Sequence, residues 1–167
     1  MIDLLDRVSF GANRVAEWLL APILAFLAGL LVISVFSRYV FHIAMVDAVE
    51  LTRIAFVWGC FLGAAVALRR GAHVRVTFLA DRLQERWRPL GILMANAAFL
   101  VFACLMVWHG FALADRMRVT TLPTLGIAQT WLYAALPVSG ALMVLHATAG
   151  LARAGADLRR GLMGARP

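Results

Sequence analysis

Three residues one helical turn apart, Asp47, Glu50 and Arg53, and four histidines, His42, His73, His109 and His146, are the side chains here best suited to chemistry. Carboxylates beside an apolar segment mark ion paths or ion pairs, and two histidines can hold a haem iron from opposite faces. Cys60 and Cys104 both fall inside apolar runs with no CxxC and no histidine-rich neighbourhood, where a cysteine behaves as a small hydrophobe rather than a metal ligand. Nucleophilic and phosphate chemistry find no footing, since the chain has no GxSxG, no Walker loop and no HExxH. Ser139-Gly140 stands within an apolar run, where a small pair serves packing.

These residues are set in a chain of 167, of which 63% are apolar and 15% charged, with a mean hydropathy of +0.84. A soluble domain runs near half apolar and a quarter charged. The skew excludes a soluble enzyme, a disordered protein and a disulfide scaffold. All 16 basic residues are arginine and the net charge is +7. They sit beside the apolar runs rather than in a patch interleaved with aromatics, which argues for membrane orientation and against a nucleic-acid partner.

Four spans must position the candidate residues, at about 18–37, 47–68, 90–114 and 127–152. Uncharged runs of this length cross the hydrocarbon core as helices, because backbone groups cannot stay unpaired in lipid. The second is short. Only fifteen uncharged residues, Ile54 to Leu68, separate Arg53 from Arg69, which is roughly 22 Å of helix. The helix must therefore start earlier and carry Asp47, Glu50 or Arg53 near the boundary. There Glu50 can pair with Arg53, or the polar end can be covered by a partner protein. The stretch before the first span carries Asp3, Asp6 and Glu17 without a basic start or a small-residue cleavage site, and reads as retained rather than as a signal peptide.

Arginine counts set the orientation. The N-terminal tail, the 69–89 loop and the C-terminal tail hold two, six and four, against two each in the 38–53 and 115–126 loops. Both termini are therefore expected in the cytoplasm. Amphipathic segments near 2–15 and 74–88 read as interfacial helices on that side. In the first, Leu4, Val8, Ala12 and Val15 line up opposite Asp3, Asp6, Arg14 and Glu17. In the second, Val76, Leu79, Leu83 and Trp87 oppose Arg75, Arg82 and Arg86. The expected fold is a single all-α membrane domain of four spans plus these two helices.

Within that frame the haem reading weakens. His109 lies about 28 Å along the third helix from Leu90, and His146 about 9 Å from Ala152 at the end of the fourth. Ligands about 19 Å apart in depth cannot share one iron, given bonds of about 2 Å. Pairs such as His42 with His109, or His73 with His146, stay open, so a haem- or quinone-type anchor subunit is the alternative. A self-contained carrier needs polar or ionisable groups near the midplane, and the interiors of the spans hold no carboxylate and no arginine. Asn96 and Ser34 read as interhelical hydrogen bonds, and Pro22 and Pro137 as kinks. Ala55, Gly59, Gly63 and Ala67 recur every four residues, a groove where another helix, of this chain or of a partner subunit, can approach closely.

The stretch VDAVELTRIAFVWGCFLGAAVALRRGAHVRVTFLADRL, residues 46–83, resembles the small membrane subunit, DctQ type, of tripartite ATP-independent periplasmic (TRAP) transporters. The likeness rests on Glu50 and Arg53 before the second helix, and on Phe56, Trp58, Phe61, Gly63 and Ala64 within it. It continues with Arg69, Arg70, His73, Val74 and Val76 after it. A second likeness covers LPTLGIAQTWLYAALPVSGALM, residues 122–143, through Pro123, Leu125, Trp131, Tyr133, Pro137 and Gly140. The resemblance implies a non-catalytic subunit of the bacterial inner membrane without a cofactor of its own. Its partners would be a large membrane subunit, which carries the solute and sodium sites, and a soluble periplasmic protein that captures an organic acid. It gives the small-residue groove and the Asp47, Glu50, Arg53 cluster a plausible partner. His42, Asp47, Asp115, Arg116 and Arg118, on the periplasmic side, are the docking candidates for the binding protein. Arg69, Arg70, His73, Arg75, Arg82, Arg86 and Trp87 would lie at the cytoplasmic lipid interface.

Overall fold

In the computed structural model, residues 2–80 and 88–164 are described, with side chains from Leu5 to Arg70 and from Leu93 to Gly155. Helix α1 covers Ile2–Val40, α2 Val46–Ala80, α3 Arg88–Arg116, α4 Thr130–Tyr133 and α5 Ala135–Gly164. Leu5–Val40, Val46–Arg70, Leu93–Arg116 and Thr130–Gly155 are each long and apolar enough to cross a membrane. The chain is an all-α multi-pass membrane protein.

The expected break between an interfacial helix at 2–15 and the first span does not occur, because α1 runs unbroken from Ile2 to Val40. No proline precedes Pro22, and a single glycine at Gly11 does not end a helix of otherwise good formers. At 39 residues, α1 is about 58 Å long, nearly twice the hydrocarbon thickness, so it tilts or projects beyond the core. Helix α2 likewise continues past its span to Ala80, so no break sets off the start of the 74–88 segment. Residues 81–87, with Arg82, Arg86 and Trp87, lie outside the described residues.

One face of α1 touches the bundle. Ser9, Asn13, Ala16, Leu20, Ile23, Leu27, Leu30, Ser34 and Ser37 are buried or half-buried, a seam alternating by three and four residues. The outward side keeps large apolar groups exposed, among them Val15, Trp18, Val32 and Phe36. The inner stripe is polar at Ser9 and Asn13, apolar from Ala16 to Leu30 and polar again at Ser34 and Ser37, so its N-terminal end reverses the pattern of a surface helix.

The most extensive packing is α3 against α5. Lipid is as apolar as leucine, so close backbone approach rather than hydrophobic burial holds such helices together. A Cβ placed on Gly110 would lie 2.9 Å from the ring and backbone nitrogen of Pro137, and one on Gly140 would lie 2.9 Å from Val107. Pro137 stands in the first turn of α5, where its missing N–H costs no helix bond. It acts there as a packing surface. Two small apolar clusters complete the interior. Ala16, Leu62 and Val66 join α1 to α2, and Ala65, Ala103 and Met143 join α2, α3 and α5.

Candidate functional site

Polar contacts gather in two layers, one at each end of the bundle. At the end away from the termini, residues 120–129 form a tight hairpin in place of the first turn expected of the fourth span. Leu122 N–H donates to Ile127 O at 2.8 Å, Gln129 N–H to Thr120 O at 2.8 Å, and Gly126 N–H to Leu122 O at 2.9 Å. Gly126 sits at φ +67°, a left-handed conformation that suits glycine. The hairpin tip leaves the N–H groups of Thr124 and Leu125 to be satisfied, and the Glu50 carboxylate accepts both, at 3.1 and 2.9 Å. Such charge-assisted bonds fix a loop more firmly than neutral ones. Two turns further along α2, the Trp58 indole N–H donates to Trp131 O at 2.9 Å. Thr130 Oγ1–H donates to Ala114 O at 2.9 Å, which ties α4 to α3.

At the terminal end, the start of α1 is strapped across α2 and α5. Asp6 Oδ1 faces two arginines, Arg153 at 3.0 Å and Arg69 at 3.6 Å. Arg69 also donates to Ser9 Oγ and stacks over the Phe10 ring at 5.6 Å. Ser9 Oγ lies 2.8 Å from His146 Nδ1, and both residues are buried. Arg70 meets Glu17 at 2.9 Å, and Asn13 donates to the same carboxylate at 2.7 Å. The polar face of α1 is therefore spent on neighbouring helices.

Of the sequence-derived candidates, Glu50 does not spend its carboxylate on Arg53. The hairpin N–H groups take it, and Arg53 and Asp47 stay exposed. Ala55 and Gly59 are buried, and a Cβ on Gly59 would meet Leu24 at 3.3 Å and Ile23 at 3.7 Å, both on α1. Gly63 faces Leu20 at 3.9 Å, while Ala67 is exposed. The small-residue groove thus receives a helix of this same chain over its first three positions. Arg69 and Arg70 join the terminal layer. His73 and Arg75 fall on α2, with side chains outside the described ones. His42, Asp47, Asp115, Arg116 and Arg118 are all exposed at the hairpin end, with His42 at φ +56° and Arg118 paired to Asp115 at 3.1 Å.

The sequence reading missed Asp6, Ser9 and His146 as one network around Arg69, Asn13 as a donor to Glu17 beside Arg70, and Gly110 as a contact point. The signal for the glycine was present: Ala103 and Gly110, and Gly140 and Ala147, are small residues seven apart on facing helices. His109 and His146 stand far apart in the bundle. His146 lies with Asn96 on one small cavity, and His109, thirteen residues further along α3 and exposed, is about 20 Å away. Among the described residues no three His, Cys, Asp or Glu side chains converge as a metal site.

Hydrogen bonds from Glu50 and Trp58 join residues 46–83 to residues 122–143, the two stretches that carried the family likeness. Comparison with known proteins extends that likeness. The family of tripartite ATP-independent periplasmic transporters, DctQ component, matches residues 27–156. A sialic acid TRAP transporter small permease protein of Vibrio cholerae is 33% identical over 134 residues, which cover 80% of this chain and 78% of that one. A C4-dicarboxylate TRAP transporter small permease protein of Rhodobacter capsulatus is 34% identical over 118 residues, 68% of this chain and 52% of that one. A sialic acid TRAP transporter permease protein of Haemophilus influenzae is 31% identical over 136 residues, 80% of this chain but only 22% of a far longer one.

Proposed function

The chain belongs to the DctQ component of the TRAP transporters, and from that premise we propose that it is a non-catalytic scaffold for a larger transport subunit. In this reading it sits in the bacterial inner membrane with both termini in the cytoplasm. Its hairpin end helps to dock a periplasmic solute-binding protein, and sodium coupling resides in the large subunit. The solute is an organic acid, the class named in the relatives for sialic acid and C4-dicarboxylate.

The observation that carries the reading is where the charge goes. Glu50 holds the hairpin, and Asp6 and Glu17 hold the start of α1 to α2 and α5. Charges used to fix a chain's own ends make a rigid body, not a path for solute, whose sites need ionisable groups near the midplane. The outward apolar surface of α1 and α3, including Trp18, Phe36, Trp108 and Phe111, suits lipid and a membrane-embedded partner alike. The long Haemophilus influenzae relative supports the partnership. There the matching region is a fifth of one permease polypeptide, which places the counterpart of this chain beside the rest of a permease.

The test is reconstitution. Vesicles holding this chain alone should take up no organic acid on a sodium gradient. Uptake should appear when the large subunit and the binding protein are added. Uptake by this chain alone would overturn the scaffold reading, and failure to co-purify with the large subunit would overturn the partnership.

A further inference from the structure

Helix α1 does not follow α5 along its length. Near its start it lies against α5, with Ser9 Oγ 2.8 Å from His146 Nδ1 and Asp6 3.0 Å from Arg153. Further on it leans onto α2, where Leu20 and Leu24 face Gly63 and Gly59. Helix α3 packs along α5 as well, yet α1 and α3 make no contact with each other among the described residues. The divergence leaves the outward face of α5 at the bottom of a trench. Val138, Ala141 and Leu145 form its floor, Val15 and Leu19 one wall and Phe111 the other, in a hollow of about 640 Å³. The crossing of α1 over α5 at Ser9 and His146 closes it toward the termini.

Toward the hairpin the trench runs into a second hollow, of about 500 Å³. The two share Phe111, Pro137 and Val138, and the second reaches Asp115, Arg118 and Ala134. From Ala134 to Leu145 the floor runs about 16 Å along α5. That is half of a hydrocarbon core about 30 Å thick, so the trench is one leaflet deep. Its lining is apolar up to Pro137 apart from the Trp58 indole N–H, which Trp131 O accepts. At the far end Asp115 and Arg118 stand 3.1 Å apart. The third span ends at Arg116, so both charges stand at headgroup depth. An exposed ion pair is weak, and it can open around a ligand with a cation for the carboxylate and an oxyanion for the guanidinium. A partner helix would match the apolar length but gives no reason for an acid and a base together at one end. We infer that the trench holds one acyl chain of a zwitterionic amino phospholipid from the leaflet at the hairpin end, with its phosphate on Arg118 and its ammonium on Asp115. Bound there, the lipid fills the gap that the departure of α1 leaves and links α1 to α3 where they do not meet.

The experiment uses the full chain, delipidated in a maltoside detergent and titrated with phosphatidylethanolamine or phosphatidylglycerol, with bound lipid read by native mass spectrometry. Phosphatidylethanolamine should form a one-to-one complex about tenfold tighter than phosphatidylglycerol does. Ala141→Phe projects a ring into the trench from an exposed position and should remove that complex. Because Asp115 and Arg118 are both exposed, Asp115→Asn with Arg118→Gln tests the site without burdening the fold, and this double variant should bind the two lipids alike. No retained phospholipid, or equal binding of the two lipids by the wild-type chain, would overturn the site. Undiminished binding in a folded Ala141→Phe would place the lipid elsewhere and overturn it equally. Unchanged lipid binding in Ala141→Phe with loss of the large subunit on co-purification would overturn it in favour of a partner helix.

Discussion

The carboxylate of Glu50 accepts the backbone N–H of Leu125 at 2.9 Å, across 75 residues of sequence. With Thr124 N–H on its other oxygen at 3.1 Å, one side chain at the start of α2 holds the tip of the hairpin that leads into α4. Glutamine in its place keeps one acceptor oxygen but turns an NH₂ group toward a second N–H. In Glu50→Gln, hydrogen exchange at Thr124 and Leu125 should therefore quicken, while the amides of α2 keep their protection. Unchanged exchange at both positions would mean that the hairpin holds its shape without the carboxylate.

Four spans and an all-α fold were legible because uncharged runs of fifteen residues or more, between clustered charges, have one physical outcome in lipid. Glu50 was legible as unusual, since a carboxylate at the start of a short span needs a partner. Its partner was not legible, because backbone N–H groups of a distant hairpin leave no mark on local periodicity. The start of α1 shows the same limit. Ser9 and Asn13 make a polar stripe whether they face water or the helices carrying Arg69 and His146, and a hydrophobic pattern cannot tell the two apart. Likewise the spacing of Ala55, Gly59 and Gly63 announces a close neighbour without saying that the neighbour is α1.

Two glycines separate packing from propensity. At Gly110 a methyl group would lie 2.9 Å from the Pro137 backbone, whereas at Gly29 nothing stands within 4 Å. Gly110→Ala should push α3 from α5 and cost about 1–3 kcal/mol, whereas Gly29→Ala should be neutral or stabilising by up to about 1 kcal/mol. Thermal unfolding of the two variants in detergent reads the difference. Equal behaviour would mean that the α3–α5 crossing is looser than its geometry.

Adjacent arginines should behave unlike one another. The Arg69 side chain is 16% exposed and serves Asp6 and Ser9, while that of Arg70 is 71% exposed and serves Glu17. Removing the first takes one of two partners from Asp6, which keeps Arg153, and one from the buried Ser9 hydroxyl, which keeps His146, so Arg69→Met should destabilise by about 1–3 kcal/mol. Arg70→Met should stay within about 1 kcal/mol, as exposed pairs do. A second measure is proteolysis near the N-terminus, which should quicken in Arg69→Met if the strap of α1 depends on that residue. Matching stabilities and cleavage rates would remove Arg69 from the strap.

Gly63 and Ala67 separate packing within the chain from assembly between chains. A Cβ at Gly63 meets both methyls of Leu20 at 3.9 Å, so the carbons that leucine adds beyond Cβ must displace α1. Ala67, one turn on, is exposed and has room for a larger side chain. Gly63→Leu should therefore lower the stability of the isolated chain by about 1–3 kcal/mol, and Ala67→Leu should leave it within about 0.5 kcal/mol. Co-purification with the large subunit then reads the second surface. If Ala67 faces that subunit, its leucine variant should fold normally yet recover less partner, a loss that unfolding cannot explain. Full recovery with Ala67→Leu would confine the small-residue stripe to holding α1, and the partner would have to meet the chain on another face.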